Sequence, residues 1–147
     1  MELVILNVES QESILERIGE TQAFTKPIYG VHSIVELTLH MWAWTEEVIS
    51  RVKGNEPKDP VMGDWQNADD YKSEGWINIQ KKFFDSTQDL IELLKSFPEE
   101  KLDQIIGGNR NPALGTGKSY ESTIHGLAQH NAYHSGQIAI LKKFGIG

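Results

Sequence analysis

The chain has 147 residues, of which 21 are acidic and 14 basic, giving a net charge of −7, and it contains no cysteine. That length holds one ordinary domain, an acidic surface is the wrong partner for a nucleic-acid backbone, and without thiolates there are no disulfides, cysteine nucleophiles or Cys-based metal sites. Four Trp and five Phe within a 39% apolar composition supply a core, which sets disorder aside.

Leu3 to Gly19 reads as a short first helix, although its opening LVILNV also suits a strand. The apolar start is too short for a signal peptide or membrane span and follows Glu2 rather than basic residues, so a cytoplasmic protein with no membrane partner is expected. Val31 to Lys53 places apolar residues at 34, 37, 41, 44, 48 and 52, which predicts the second helix. Ser33 and Glu36 have the spacing of a capping box at its start, and Gly54 stops it. The third runs from about Tyr71 to Ser96, with a seam of Trp76, Ile79, Phe83, Thr87, Leu90, Leu94 and Phe97 before Pro98. The fourth runs from about Ser119 to Phe144, with Lys142 and Lys143 in its last turn and Gly145 as its stop.

Two Pro- and Gly-bearing stretches, Asn55 to Asp70 and Asp103 to Lys118, separate these helices. Loops of that length either fold over something functional or are plain surface excursions. Four helices without strand alternation predict a single all-α domain over 1–147, a four-helix bundle with long crossover loops. GTGKS, Gly115 to Ser119, has the ending of a phosphate loop, but the position that must be the first glycine is Pro112 and no strand feeds it. The segment is read as a turn into a helix cap.

The five histidines carry the chemistry. On the fourth helix His130 and His134 share a face with Thr123, Leu127, Gln137, Leu141 and Phe144, which is read as the buried face, while His125 points the other way, toward solvent. His40 lies at the edge of the second helix's apolar arc, beside Trp44, Glu36 and Glu47, and His32 precedes the cap. Imidazoles at i and i+4 can grip one cation, yet five scattered histidines produce such a pair in roughly one chain in eight. Spacing alone leaves a metal pair and a hydrogen-bonded core pair open. Glu36 is explained by the capping box; Glu47 is either a general base or a solvated charge. Trp44 and Tyr133 either wall a pocket or belong to the core, and Gln137 either orients His134 or fills a polar gap.

Two segments, GVHSIVELTLHMWAW (Gly30 to Trp44) and HGLAQHNAYHSGQIAILKK (His125 to Lys143), resemble the DinB-like superfamily of bacterial four-helix-bundle proteins, which includes bacillithiol transferases and mycothiol-dependent isomerases. The resemblance implies that His40, His130 and His134 bind one divalent ion, with zinc and nickel the leading candidates. Three imidazoles leave open coordination positions, the mark of a catalytic site. It further implies a small-molecule substrate and either thiol transfer to an electrophile, with a low-molecular-weight thiol as co-substrate, or metal-dependent hydrolysis. A non-catalytic metal-binding bundle is the remaining alternative. Trp42 and Trp44 lie well apart around the second helix, more than one core is expected to bury, and this predicts a homodimer.

Overall fold

The computed structural model describes residues 8–107 and 117–144. The readings placed on Leu3 to Asn7, on Pro112, Gly115 and Thr116, and on Gly145 lie outside the described residues. Five α-helices follow in chain order: α1 (Val8–Leu15), α2 (Glu20–Phe24), α3 (Ile34–Val52), α4 (Trp76–Lys95) and α5 (Tyr120–Leu141). Two 3-10 turns, Ala68–Tyr71 and Glu99–Lys101, sit in the connections, and the described residues contain no strand beyond one isolated bridge between Ile105 and Ser119. The expected all-helical bundle is present, with five α-helices among the described residues where four were expected. The single first helix is broken after Leu15, where Arg17 takes the left-handed conformation (φ 61°) that ends a helix. Gly19 then precedes α2, whose five residues are too few to show a period in the sequence.

α3 is the central element, with fifteen of its nineteen residues buried. Its start is the predicted capping box: Ser33 Oγ accepts from Glu36 N at 3.1 Å, and Ser33 N donates to Glu36 Oε1 at 3.1 Å. Both groups are buried, so Ser33→Ala should cost about 1–2 kcal/mol of unfolding free energy in a denaturant titration.

The interior is divided along the bundle. One apolar cluster joins Ile34, Leu37 and Met41 of α3 to Trp76, Ile79 and Phe83 of α4 and to Ile138 and Leu141 of α5. The other joins Val48, Ile49 and Val52 to Leu90 and Leu94 and to Ile124 and Leu127. Between them runs a buried polar belt of His40 and Thr45 from α3, Ser86 and Thr87 from α4, and Asn131, His134 and Ser135 from α5. Polar groups at this depth are costly unless paired, and among the described residues Ser86 Oγ, alone of Thr45, Ser86 and Thr87, lacks a hydrogen-bond partner. Thr45 Oγ1 donates to Met41 O at 2.8 Å and accepts from Asn131 Nδ2 at 3.3 Å, and Thr87 Oγ1 donates to Phe83 O at 3.1 Å.

The α4 seam is buried as expected from Trp76 to Leu94. The α5 face is buried in part: Thr123, Leu127, His134 and Leu141 are buried as expected, but the buried line also runs through Ile124, Ala128, Asn131, Ser135 and Ile138, so His130 and Gln137 stand at its edge and Phe144 is exposed. The sequence misled here because Asn131 and Ser135, polar by type, fill the centre of the true face. The connection after α3 closes a side of the bundle. Pro57, Pro60 and Gln66 are buried in it, and it is tied to α3 through Lys58 and Asp64. Trp42 and Trp44 are each half-buried within the chain, against Lys82 and Arg51 respectively. The feature that suggested a second copy is thus covered in part from within.

Candidate metal centre

His40 comes from the middle of α3, and His130 and His134 from successive turns of α5, at the level of the polar belt. One ring nitrogen from each lies within 4.8 Å of the others. His40 and His134 are buried and His130 half-buried. His125, by contrast, is 48% exposed in its side chain, near Glu121, and takes no part.

The outer nitrogens fix the tautomers. His40 Nδ1 lies 2.6 Å from the backbone carbonyl of Asp64, which can only accept, so His40 Nδ1 carries its proton. His130 Nδ1 faces Asn131 Oδ1 at 2.9 Å, and the Asn131 amide is oriented by its Nδ2–H bond to Thr45, so the oxygen accepts there too. His134 Nδ1 donates to Gln137 Oε1 at 2.6 Å, which gives Gln137 the orienting role. In its neutral form each of the three rings therefore turns a bare Nε2 lone pair inward.

The Nε2 atoms of His40 and His130 stand 2.9 Å apart. With both Nδ1 atoms protonated, no hydrogen lies between them, and two buried lone pairs at that distance repel unless a cation or an added proton joins them. A proton is the poorer candidate. Burial, followed by the charges of His134 and His40, holds His130 down to about 4 against the pull of Asn131. Burial also lowers His40, with its histidine neighbours adding to the effect and Asp64 opposing it. The residues thus fit a divalent ion: three neutral imidazole donors, pre-oriented from behind, with their lone pairs converging.

This arrangement has a pH consequence. His40 and His130 bind protons less readily folded than unfolded, so metal-free protein should lose stability as pH falls from about 6.5 toward 5. The carboxylates that add their own losses act lower. Burial alone would raise Glu36, but hydrogen bonds from His32, Ser33 and Lys26 hold it at about 2. Denaturant midpoints of chelator-treated protein at pH 7 and pH 5.5 check this, and a higher midpoint at pH 5.5 would contradict the neutral triad.

The connection after α3 supplies parts that sequence reading missed. Trp65 lies between two imidazoles, with its ring 3.6 Å from His32 and 3.8 Å from His40, nearly parallel to both. Asp64 receives His40 Nδ1 on its carbonyl, and its carboxylate accepts from Trp44 Nε1 at 2.7 Å. The available signal was a tryptophan in a Pro- and Gly-bearing stretch of unusual length, where an exposed loop has no use for an indole.

Glu47 is neither a solvated charge nor a member of the histidine cluster. It is buried, and its carboxylate accepts from Arg51 Nε and from Lys58 N at 3.0 Å, while Arg51 Nη2 donates to Lys58 O at 3.0 Å. Trp44 lines a groove beside His130. Tyr133 is 66% exposed, with its ring 5.1 Å from that of His134.

The sequence model of the DinB superfamily matches residues 9–138, a span that includes all three histidines. No curated protein and no solved structure matches the chain.

Proposed function

The chain belongs to the DinB superfamily, and from that membership and the converging imidazoles we propose a metal-dependent transferase that joins a low-molecular-weight thiol to an electrophilic small molecule. The observation that carries the reading is the trio of inward Nε2 lone pairs, each ring locked from behind by Asp64, Asn131 or Gln137. When bound, a divalent ion there, with zinc and nickel the leading candidates, supplies Lewis acidity at open positions, enough to favour the ionised form of a thiol or a water near neutral pH.

The protein's own residues hold the donors still, and burial disfavours the protonated forms of His40 and His130. Trp65 packs against the His40 ring and restricts water on that side. Because the chain has no cysteine, the sulfur nucleophile comes from solution.

Hydrolysis is the second reading, and the positions of the carboxylates favour the first. Attack by water usually needs a side chain to take a proton at the reacting centre. Glu47 is committed to Arg51 and Lys58, and Asp64 stands on the Nδ1 side of His40, away from the lone pairs. Metal-replete protein should therefore conjugate electrophiles only when bacillithiol, glutathione or a simple thiol is added, and lose that activity to chelators. Cleavage of activated esters without thiol would instead establish the hydrolase.

A further inference from the structure

A groove of about 260 Å³ opens beside the histidine cluster, bounded by Trp44 and Arg51 of α3, by Ser122, Gly126 and His130 of α5, and by Lys118 just before α5. His130 is the shared wall between groove and cluster. Ser122, Gly126 and His130 recur every four residues and so form one line along α5. At 1.5 Å per residue that line is about 12 Å long. One end is the inward-turned imidazole; the other carries the Lys118 ammonium and the Ser122 hydroxyl.

The charge of this groove runs against that of the molecule. The chain as a whole carries −7, yet among the described residues no acidic side chain lines the groove. Arg51 is balanced by Glu47 behind it and lies 5.7 Å from the Trp44 ring centroid, a fixed wall rather than a free charge. Lys118 is exposed and makes no ion pair among the described residues. Gly126 sits midway along the line, where a Cβ would meet nothing within 4 Å. Glycine is a poor residue for the middle of a helix, and here its missing side chain leaves the floor of the groove open.

We propose that this groove binds the chain of the thiol co-substrate in extended form, with its sulfur at the histidine cluster and a carboxylate or similar anionic group at Lys118 and Ser122. The inference rests on the transferase reading above and adds to it a substrate class: a thiol carrying an anion about 10 Å away. An extended chain advances about 1.2 Å per bond, so eight to ten bonds separate the two groups.

Calorimetric titration of the zinc-loaded protein with mercaptooctanoate, mercaptooctanol, mercaptopropionate and mercaptopropanol tests this. Mercaptooctanoate should bind about tenfold more tightly than mercaptooctanol, the worth of one charge-assisted contact. The short acid, unable to reach, should show no such preference over its alcohol. Lys118→Glu should abolish the preference while leaving the affinity for mercaptooctanol unchanged. Gly126→Leu should weaken both long thiols and leave zinc stoichiometry and the short thiols as they are.

Equal binding of the long acid and alcohol, or a preference that survives Lys118→Glu, would overturn the proposal. Octanoate and octanol, which lack sulfur, separate its failure from that of the thiol reading. If no thiol binds but octanoate outbinds octanol in a Lys118-dependent way, the anion site stands and the thiol reading falls; equal binding of the two overturns the anion site itself.

Discussion

Replacing His134 with alanine should lower the affinity for zinc or nickel by well over 100-fold, and His40→Ala and His130→Ala should do the same, while His125→Ala leaves it unchanged. The three form the buried cluster, and His125 lies exposed beside Glu121. Ligand loss must exceed the roughly 10–100-fold typical of removing an outer hydrogen-bond partner. Asn131→Ala and Gln137→Ala belong to that milder class, since they free the Nδ1 atoms of His130 and His134 without removing a donor. Competition with a chromogenic chelator resolves the two tiers, with circular dichroism confirming that each variant folds. An His125→Ala variant as deficient as His134→Ala would refute the assignment.

Glu47→Ala should be among the most destabilising single changes in the protein. It leaves Arg51 buried without its counter-ion and removes the acceptor for Lys58 N. Breaking one side of a buried pair typically costs about 3–5 kcal/mol, which for a domain of this size lowers the melting temperature by about 10 °C. Replacing both members, Glu47→Leu with Arg51→Met, should recover much of the loss, because no buried charge is then left unpaired. The effect should reach the metal centre as well. Glu47 and Arg51 anchor Lys58, and the same connection carries Asp64 and Trp65 to the His40 ring. A melting temperature within 2 °C or so of the parent would show that the pair does not secure this connection.

Much of the architecture was legible because burial along α4 follows residue type and the start of α3 obeys a local capping rule, although α3 also buries Glu36, Thr38, His40, Thr45, Glu47 and Arg51. The Trp76 to Leu94 seam and the Ser33–Glu36 box each rest on local rules of spacing and hydrogen bonding, and both are present. The break at Arg17 was not legible, since arginine gives no sign that it will adopt a positive φ. Nor was the full width of the buried face of α5, which takes in Thr123, Leu127, His134 and Leu141 as expected but also Asn131 and Ser135, held through bonds to Thr45 and Met41 that only the assembled bundle creates.

The candidate site divides in the same way. His130 and His134 could be paired from their spacing, and His40 joined them through resemblance. Asp64 and Trp65, twenty-four and twenty-five residues beyond His40, could not be placed, because nothing local dictates which side of α3 that connection crosses. For Glu47 the sequence posed the wrong alternatives. Its partner four residues on, Arg51, is a common surface pairing, and only the burial of both turns it into an internal anchor.

The ring nitrogens of His40, His130 and His134 that converge in the bundle are the Nε2 atoms, with each Nδ1 hydrogen-bonded outward. Nitrogen-15 NMR of the histidine rings in metal-free protein at pH 7 reads their protonation state site by site. His40, His130 and His134 should be Nδ1–H tautomers, and all three Nε2 resonances should shift, complete at one equivalent of added zinc, with His32 and His125 unmoved. An Nε2–H tautomer at His40 or His130, or Nε2 resonances indifferent to zinc, would contradict this assignment.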